Sequence, residues 1–170
     1  MDTIKKLLLL TCFACVGFGQ AQQQQEDLEQ IDNLITRFYE AISFDGTKTV
    51  NYPLLDSIYH RDAIVGKVDP ENFQSYVAKD FRERNKESFK RNHISSFREQ
   101  EIKGFTHIYG GTATRFSLYE YVIKRGDEER RARGVNNMQL VKTPNEGWKV
   151  LSNIFSDNHS YPDFLIERVE

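Results

Sequence analysis

Apolar residues recur at intervals of three and four positions between residues 27 and 44. This spacing is typical of a helix with one buried face, so the sequence predicts a long first helix over this range. The repeating positions are Leu28, Ile31, Leu34, Ile35, Phe38, Ala41 and Ile42. Asp45-Gly46 is expected to end the helix. Pro53 is tolerated in the first turn of a helix, so residues 53–59 are predicted to form a short second helix.

The next predicted elements are a short strand and a second long helix. Residues 62–68 are rich in β-branched side chains and predict the strand. Asp69 followed by Pro70 has the composition of a helix N-terminus, and a helical period then extends to about Arg91. Its apolar positions are Phe73, Tyr76, Val77, Phe81 and Phe89.

The remainder of the domain has the pattern of strands. Stretches of β type lie at about 94–108, 112–124, 131–142 and 147–156. The turns between them contain Gly110-Gly111, Gly126-Asp127 and Pro144–Gly147, and such short turns predict an antiparallel meander. The order of helices and strands therefore predicts an α+β domain with its helices on one face of a curved sheet.

The N-terminus has the features of a secretory signal peptide. Two lysines precede a short apolar run that ends in Gly19-Gln20-Ala21, so residues 1–21 are predicted to be removed after Ala21. A lipoprotein would need small residues just before Cys12 or Cys15, and the sequence fits that pattern weakly. Both cysteines lie in the signal, so the exported product has no thiol and neither thiol catalysis nor disulfides are expected.

The predicted boundaries are a signal peptide at 1–21, a glutamine-rich tether at 22–26, one domain at 27–160 and a C-terminal tail at 161–170. The expected location is the periplasm or the extracellular medium. The net charge of the full chain is -2. It gives no electrostatic basis for binding nucleic acid, or for binding a membrane after the signal is cleaved.

Several stretches of the sequence are similar to one known superfamily. They are Tyr59–Ala63, Ser117–Glu120, Arg133–Leu140 and Gly147–Val150. With nearly all of residues 27–157, they resemble the nuclear transport factor 2-like (SnoaL-like) superfamily, and within it a bacterial exported branch. That superfamily includes ketosteroid isomerase, scytalone dehydratase and polyketide cyclases. The resemblance implies a cone of three helices packed on a curved antiparallel sheet, with a cavity on the concave face.

Strand alternation divides the predicted sheet into two faces. The resemblance implies that cavity positions on the last strand lie at odd offsets from Trp148, which selects Asn153 and Phe155. If the strands pair in regular alternation, so that the same parity holds across both hairpins, then Glu120, Asn137 and Gln139 share that face. Glu120 is then the candidate catalytic carboxylate, acting as a general base. An ion pair between Glu120 and Arg133 across the hairpin is favoured over that catalytic role.

Other polar residues are weaker candidates. Tyr39 on the first helix could close the cavity and bind a ligand, and core packing with its hydroxyl reaching a partner is favoured over that role. His93 could look into the cavity mouth, and the alternative is a solvated histidine at a helix–strand junction. Glu99 and Glu101 share one face of their strand, and a solvated acidic edge is favoured over a catalytic pair.

No histidine pair has metal-binding spacing, and neither a phosphate-binding glycine loop nor a nucleophile elbow is present. The prediction is therefore no metal and no cofactor. The expected function is an exported domain that binds a small, partly apolar molecule in its cavity. The alternatives are a cofactor-independent isomerase, dehydratase or cyclase, and a non-catalytic interaction or structural domain.

The opposite sheet face is also apolar, and its exposure would be unusual in a monomer. Its members are Tyr119, Met138, Leu140, Trp148, Val150 and Ile154, with Ser117 at the centre. The sequence therefore predicts a homodimer that pairs through this outer face, as the resemblance also implies. The alternative is that the two faces are exchanged and this set is the core.

Overall fold

Three helices and six strands are present in the computed structural model, which describes the backbone of residues 2–162 and the side chains of residues 22–162. In chain order they are α1 (Asp2–Ile42), α2 (Tyr52–Ile58), β1 (Tyr59–Val68), β2 (Phe73–Val77), α3 (Ala78–Arg91), β3 (Ile94–Tyr109), β4 (Thr112–Arg125), β5 (Glu128–Thr143) and β6 (Gly147–Asp157). Most of the tail predicted at 161–170 lies outside the described residues. Within the described part of the chain, no helix is long and apolar enough to cross a membrane.

The first predicted helix is confirmed, but it begins earlier than expected. Ile31, Leu34, Ile35, Phe38 and Ala41 are all buried, so the apolar stripe read from the sequence packs on the sheet. The segment 22–26, predicted as a tether, is instead a helical part of α1 with exposed side chains. The side chains of the predicted signal, residues 1–21, lie outside the described residues, and the signal stays a prediction.

Buried contacts of α1 with the rest of the domain begin at Asp27. Its side chain is only 6% exposed and accepts hydrogen bonds from Lys142 Nζ at 2.6 Å and from Trp148 Nε1 at 3.0 Å. These two bonds tie the helix to β5 and β6. They satisfy a carboxylate that would be costly to bury unpaired.

Residues 73–77 correct the sequence prediction, because they form strand β2 and not the start of a helix. Asp69 and Asn72 close a tight turn with reciprocal backbone hydrogen bonds, and β2 pairs antiparallel with β1. Tyr76 therefore lies on a strand, where Arg84 stacks over its ring at 4.3 Å. The long helix starts only at Ala78. The spacing of Phe73, Tyr76 and Val77 fits a helix, but pairing with a distant strand decides the outcome.

The strands form one sheet in the order β2-β1-β6-β5-β4-β3. The four-stranded meander is confirmed, but β1 runs parallel to β6, so the sheet is mixed rather than antiparallel. All three helices pack against the sheet, and α1 makes its main contacts with β3. The predicted α+β architecture of three helices on a curved sheet is confirmed.

The two faces of the sheet are exchanged relative to the main prediction. Tyr119, Met138, Leu140, Trp148 and Val150 are buried in the core, on the helix-covered face. Ser117 is fully buried among them. The patch proposed for a dimer is therefore the core, and of its members only Ile154 points to the outer face. The homodimer stays a prediction, but the buried patch is not available as its interface.

Candidate functional site

A cavity of about 260 Å³ lies between the concave face of the sheet and the helices. Its wall is mainly aromatic and aliphatic. Rings from seven elements contribute, and they belong to Phe38, Tyr52, Tyr59, Phe81, Phe89, Phe97, Tyr119, Tyr121 and Phe155. Such a space, apolar with a few polar groups, is the usual form of a small-molecule site.

Glu99 is an acidic residue within this apolar wall. The backbone of Glu99 is held by Ser43, whose hydroxyl accepts from the Glu99 amide at 3.1 Å and donates to its carbonyl at 3.2 Å. Phe44 pairs with Phe97 beside it, so the residues that follow α1 cover this part of the edge strand. The cover keeps the Glu99 side chain directed into the cavity rather than into solvent.

The environment of Glu99 favours its neutral form. Burial raises the pKa of the carboxyl to about 8, against an ordinary value of 4.5. A hydrogen bond from Asn136 lowers the pKa in part, and the negative charge of Asp157 raises it. No cationic side chain among the described residues forms an ion pair with Glu99. Glu99 therefore holds its proton at neutral pH and can donate or release it there.

Two asparagines stand beside Glu99 on the cavity wall. Asn136 donates from Nδ2 to Glu99 Oε1 at 3.2 Å and to the Tyr39 hydroxyl at 3.0 Å. Asn153 donates from Nδ2 to Asn136 Oδ1 at 3.0 Å. Both are nearly inaccessible to solvent, at 3% and 2%. The polar end of the cavity is thus a fixed network.

Behind this network lies an ion pair that does not reach the cavity. Arg115 donates to both carboxylate oxygens of Glu101, at 3.0 and 2.6 Å, and to Asp32 at 2.7 Å. Ser117 also donates to Glu101, at 2.5 Å. The guanidinium crosses over Gly104, where a Cβ would collide with it. The absence of a side chain at position 104 is what allows this pair to form.

Basic groups also line the cavity. Arg82 pairs with Asp56 and lies over the ring of Tyr59 at 5.7 Å. Its Nη1 atom is buried without a hydrogen-bond partner. Lys67 lies 3.9 Å from the carboxylate of Asp157, and Arg130 also lines the cavity. The cavity thus combines one neutral acid, Glu99, with positively charged groups and the carboxylate of Asp157.

Three of the predicted ligand-binding residues lie at this site. Asn153 and Phe155 line the cavity, and Tyr39 lies directly behind Asn136. Burial raises the pKa of the Tyr39 hydroxyl far above its ordinary value, so it stays protonated. Ligand binding by these residues stays a prediction.

The placement of Glu120, Asn137 and Gln139 in the cavity is wrong. All three lie on the outer face, where Glu120 accepts from Gln100 at 3.1 Å and lies 3.6 Å from Arg133 Nε. The cause is a β-bulge in β6. Leu140 pairs with Val150 while Gln139 pairs with Ser152, so Leu151 is an extra residue that shifts the parity of the strand. Trp148 and Asn153 consequently share one face.

His93 is also outside the cavity. It is exposed at the end of α3 and has a left-handed backbone, with φ of 53°. The alternative interpretation, a solvated histidine at a helix–strand junction, is the one that fits. Among the described residues, no three His, Cys, Asp or Glu side chains are grouped closely enough to hold a metal ion.

Sequence reasoning missed Glu99 and Asn136. The interpretation of Glu99 and Glu101 as a solvated edge is wrong, since one lines the cavity and the other is paired with Arg115. A usable signal was present in the sequence. Asn136 alternates with Met138 and Leu140, so it lies in the most apolar row of its strand, where an amide needs a partner.

Three solved structures resemble this one across most of the chain. A nuclear transport factor 2-like protein from Salmonella enterica has 16% identity and a TM-score of 0.64, covering 78% of this chain and 92% of that one. A candidate scytalone dehydratase from Novosphingobium aromaticivorans has 11% identity and a TM-score of 0.63, with 81% and 87% covered. The CaMKII hub of S. rosetta has 15% identity and a TM-score of 0.50, with 76% and 92% covered.

The chain has the nuclear transport factor 2-like fold. The sequence itself matches no protein-family model, and no curated protein matches it significantly. At such low identities the similarity establishes the nuclear transport factor 2-like fold alone, because one fold hosts many functions. The chemistry has to be argued from the cavity.

Proposed function

We propose that this chain is an exported domain that binds a small, largely apolar molecule in its cavity, with Glu99 facing the polar group of that molecule. The observation that carries the proposal is Glu99 itself. It is a carboxyl group without an ion-pair partner in an aromatic cavity, and its pKa of about 8 reflects the free-energy cost of that position. Strongly perturbed carboxyls in clefts are typical of functional sites.

The alternative role for a buried carboxyl is structural, and Glu101 illustrates it. Glu101 forms an ion pair with Arg115, accepts a hydrogen bond from Ser117 and lies outside the cavity. Glu99 has neither interaction and lines the cavity. An apolar residue at position 99 would stabilise the core better than a buried carboxyl, so the presence of Glu99 supports a role toward a ligand.

A second candidate function is a cofactor-independent isomerase, dehydratase or cyclase in which Glu99, not Glu120, moves a proton. A pKa of about 8 supports it, because a group that titrates near neutrality can both give and accept a proton. The similarity to a candidate dehydratase is in keeping with this chemistry. The Asn136 and Asn153 amides would steady the polar end of a substrate.

Binding can be tested with a neutral fluorescent probe, N-phenyl-1-naphthylamine, and two matched substitutions on β3. Phe97 lines the cavity, and Phe105 lies on the opposite face of the same strand. Phe97→Trp should weaken probe binding at least about fivefold by filling the cavity, and Phe105→Trp should leave it unchanged. Equal effects from both substitutions, or no probe binding, would refute the proposal.

Export is tested separately by N-terminal sequencing of the protein from its native host. The mature chain should begin near Gln22. Support comes from the burial pattern, since residues 22–26 are exposed and the first buried side chain described is Asp27. A retained Met1, or a lipid on Cys12 or Cys15, would contradict export as a soluble protein.

A further inference from the structure

The donor and the acceptor of each hydrogen bond in the cavity network follow from the ion pair behind it. Glu101 accepts two hydrogen bonds from Arg115, and a carboxylate in such a pair has only acceptor atoms. The hydroxyl of Ser117, 2.5 Å from Glu101, must therefore donate to it. Ser117 has a single hydroxyl hydrogen, so toward Tyr39, at 2.6 Å, it can only accept.

Tyr39 consequently donates to Ser117 and has no hydrogen left for Asn136. The atom of Asn136 that faces Tyr39 at 3.0 Å must then be the donor Nδ2. This fixes the orientation of the Asn136 amide. Its second Nδ2 hydrogen reaches Glu99 Oε1 at 3.2 Å, and its Oδ1 atom faces Asn153.

The same logic orients Asn153. Because Asn136 presents an oxygen, Asn153 must present Nδ2 to it, at 3.0 Å. The other end of the amide, Asn153 Oδ1, is buried on the cavity wall and accepts no hydrogen bond of normal geometry from the described residues, although the buried Tyr59 hydroxyl lies beside the same side chain. A buried acceptor left unpaired costs free energy, and a donor supplied by a ligand would recover it.

Glu99 is complementary to Asn153. Its Oε1 atom already accepts from Asn136, which favours Oε2 as the oxygen that carries the proton, and the residue lines the cavity. The chain of hydrogen bonds from Glu101 through Ser117, Tyr39 and Asn136 therefore determines that one polar end of the cavity offers a donor at Glu99 and an acceptor at Asn153.

We propose that the ligand is an uncharged, largely apolar molecule with a hydroxyl group that donates to Asn153 Oδ1, and that Tyr39 is the positioning residue that keeps this acceptor facing the ligand. The inference rests on the proposed function of the cavity. In its protonated form Glu99 can donate to an oxygen of the ligand, which a hydroxyl or a carbonyl group supplies. Arg82 Nη1, also unpartnered, is a further donor on the same wall.

The test compares four aromatic probes of similar shape by fluorescence titration: naphthalene, 1-naphthol, 1-methoxynaphthalene and 1-naphthoate. In the unchanged protein 1-naphthol should bind about tenfold more tightly than 1-methoxynaphthalene, since only the former has a donor for Asn153. Asn153→Leu should reduce that ratio to within about twofold and leave naphthalene binding in place. Tighter binding of 1-naphthoate than of 1-naphthol would overturn the proposal and point to an anion at Arg82.

Tyr39→Phe tests the positioning role without altering the cavity wall. The Asn136 amide then has no fixed orientation, so the preference for 1-naphthol should fall and the pKa of Glu99, followed by carboxyl NMR, should rise as the bond from Nδ2 is lost. Ile35→Val, a buried change on the same helix outside the network, controls for general loosening and should move neither quantity.

The outcomes separate the two proposals. Equal affinity for 1-naphthol and 1-methoxynaphthalene in the unchanged protein would overturn the hydroxyl inference and leave the binding cavity standing. Failure of every probe to bind would overturn both. An unchanged preference in Tyr39→Phe would refute the positioning role of Tyr39, whether or not the variant is less stable.

Discussion

Glu99 and Glu101 lie two residues apart on the same face of β3, yet they have opposite surroundings. Glu101 meets Arg115 and Ser117 and is tied through Arg115 to Asp32 on α1. Glu99 faces aromatic rings, has one hydrogen bond from Asn136, and keeps its proton. Strand geometry gives the two side chains one direction, so the difference arises from what the neighbouring elements place opposite each.

Register explains the difference in partners. Glu101 pairs across the sheet with Tyr119 and Glu99 with Tyr121, and Arg115 lies further along β4 toward the Glu101 end. A bulge at Ile102 and the missing side chain at Gly104 let the guanidinium reach back to Glu101 but not to the cavity. One carboxyl is therefore held in a structural pair with Arg115, while the other remains available to a ligand.

The largest effect is expected from removing the cation of the structural pair. Arg115→Met leaves Glu101 without its partner and should lower the free energy of unfolding by about 3 kcal/mol, the lower end for buried pairs because Glu101 is 20% exposed. Urea unfolding followed by circular dichroism measures it. The double variant Arg115→Met/Glu101→Met should recover part of the loss, and a double variant no more stable than Arg115→Met would contradict the pairing argument.

Replacing the unpaired carboxyl should have the opposite sign. In folded protein Glu99 keeps its proton up to a pKa of about 8, whereas in the unfolded chain it releases the proton near 4.5. Its contribution to stability is therefore present below pH 4.5 and lost as pH rises to 8. Glu99→Gln imitates the neutral acid and should raise stability at pH 9 by about 2 kcal/mol while flattening the dependence on pH.

The matched control for that prediction is the same substitution two residues away. Glu101→Gln removes the charge that Arg115 needs and should destabilise the protein at the same pH. Other ionisable groups line the cavity and are unchanged in both variants, namely Tyr52, Tyr59, Lys67, Arg82, Tyr119, Tyr121, Arg130 and Asp157. If both substitutions shift stability in the same direction, the distinction between the two carboxyls is wrong.

The elements of this fold were largely predictable because their signals are local. The stripe of α1, the proline at the start of α2 and the glycine turns of the meander each depend on a few neighbouring residues. Strand β2 was not predictable in this way. Its pairing with β1 is a tertiary contact, and Phe73, Tyr76 and Val77 satisfy a helical period equally well.

The prediction of the candidate site was wrong for a different physical reason, namely which residues of a strand face the core. A single bulge at Leu151 places Trp148 and Asn153 on the same face, although their spacing in a regular strand puts them on opposite faces. Asn153 and Phe155 were therefore placed correctly while Glu120, Asn137 and Gln139 were not. The core face can instead be identified from the apolar character of the row that contains Tyr119, Met138 and Trp148. That comparison does not depend on the register of the strands across the bulge.

A smaller effect is expected at Ser117, which connects the surroundings of the two carboxyls. Ser117→Ala removes the acceptor of the Tyr39 proton and one donor to Glu101, and should cost about 1 kcal/mol. In a double-mutant cycle, Ser117→Ala and Tyr39→Phe should show a coupling energy of about 1 kcal/mol. Ser117→Ala with Ile35→Val should instead be additive, and additivity in both pairs would mean that the two hydroxyls do not interact.

The smallest effect is expected at the third carboxyl, Glu120, which the sequence placed in the cavity and the structure places on the outer face. Its side chain is 34% exposed, Arg133 opposite it is 54% exposed, and their closest charged atoms are 3.6 Å apart. Water screens such a pair, so Glu120→Gln should change the free energy of unfolding by less than about 0.5 kcal/mol. The carboxyl NMR titration of Glu99 should keep its midpoint in this variant, because the sheet separates the two groups. A loss of several kcal/mol, or a shifted Glu99 midpoint, would show instead that Glu120 faces the cavity and that the bulge at Leu151 does not set the faces as described.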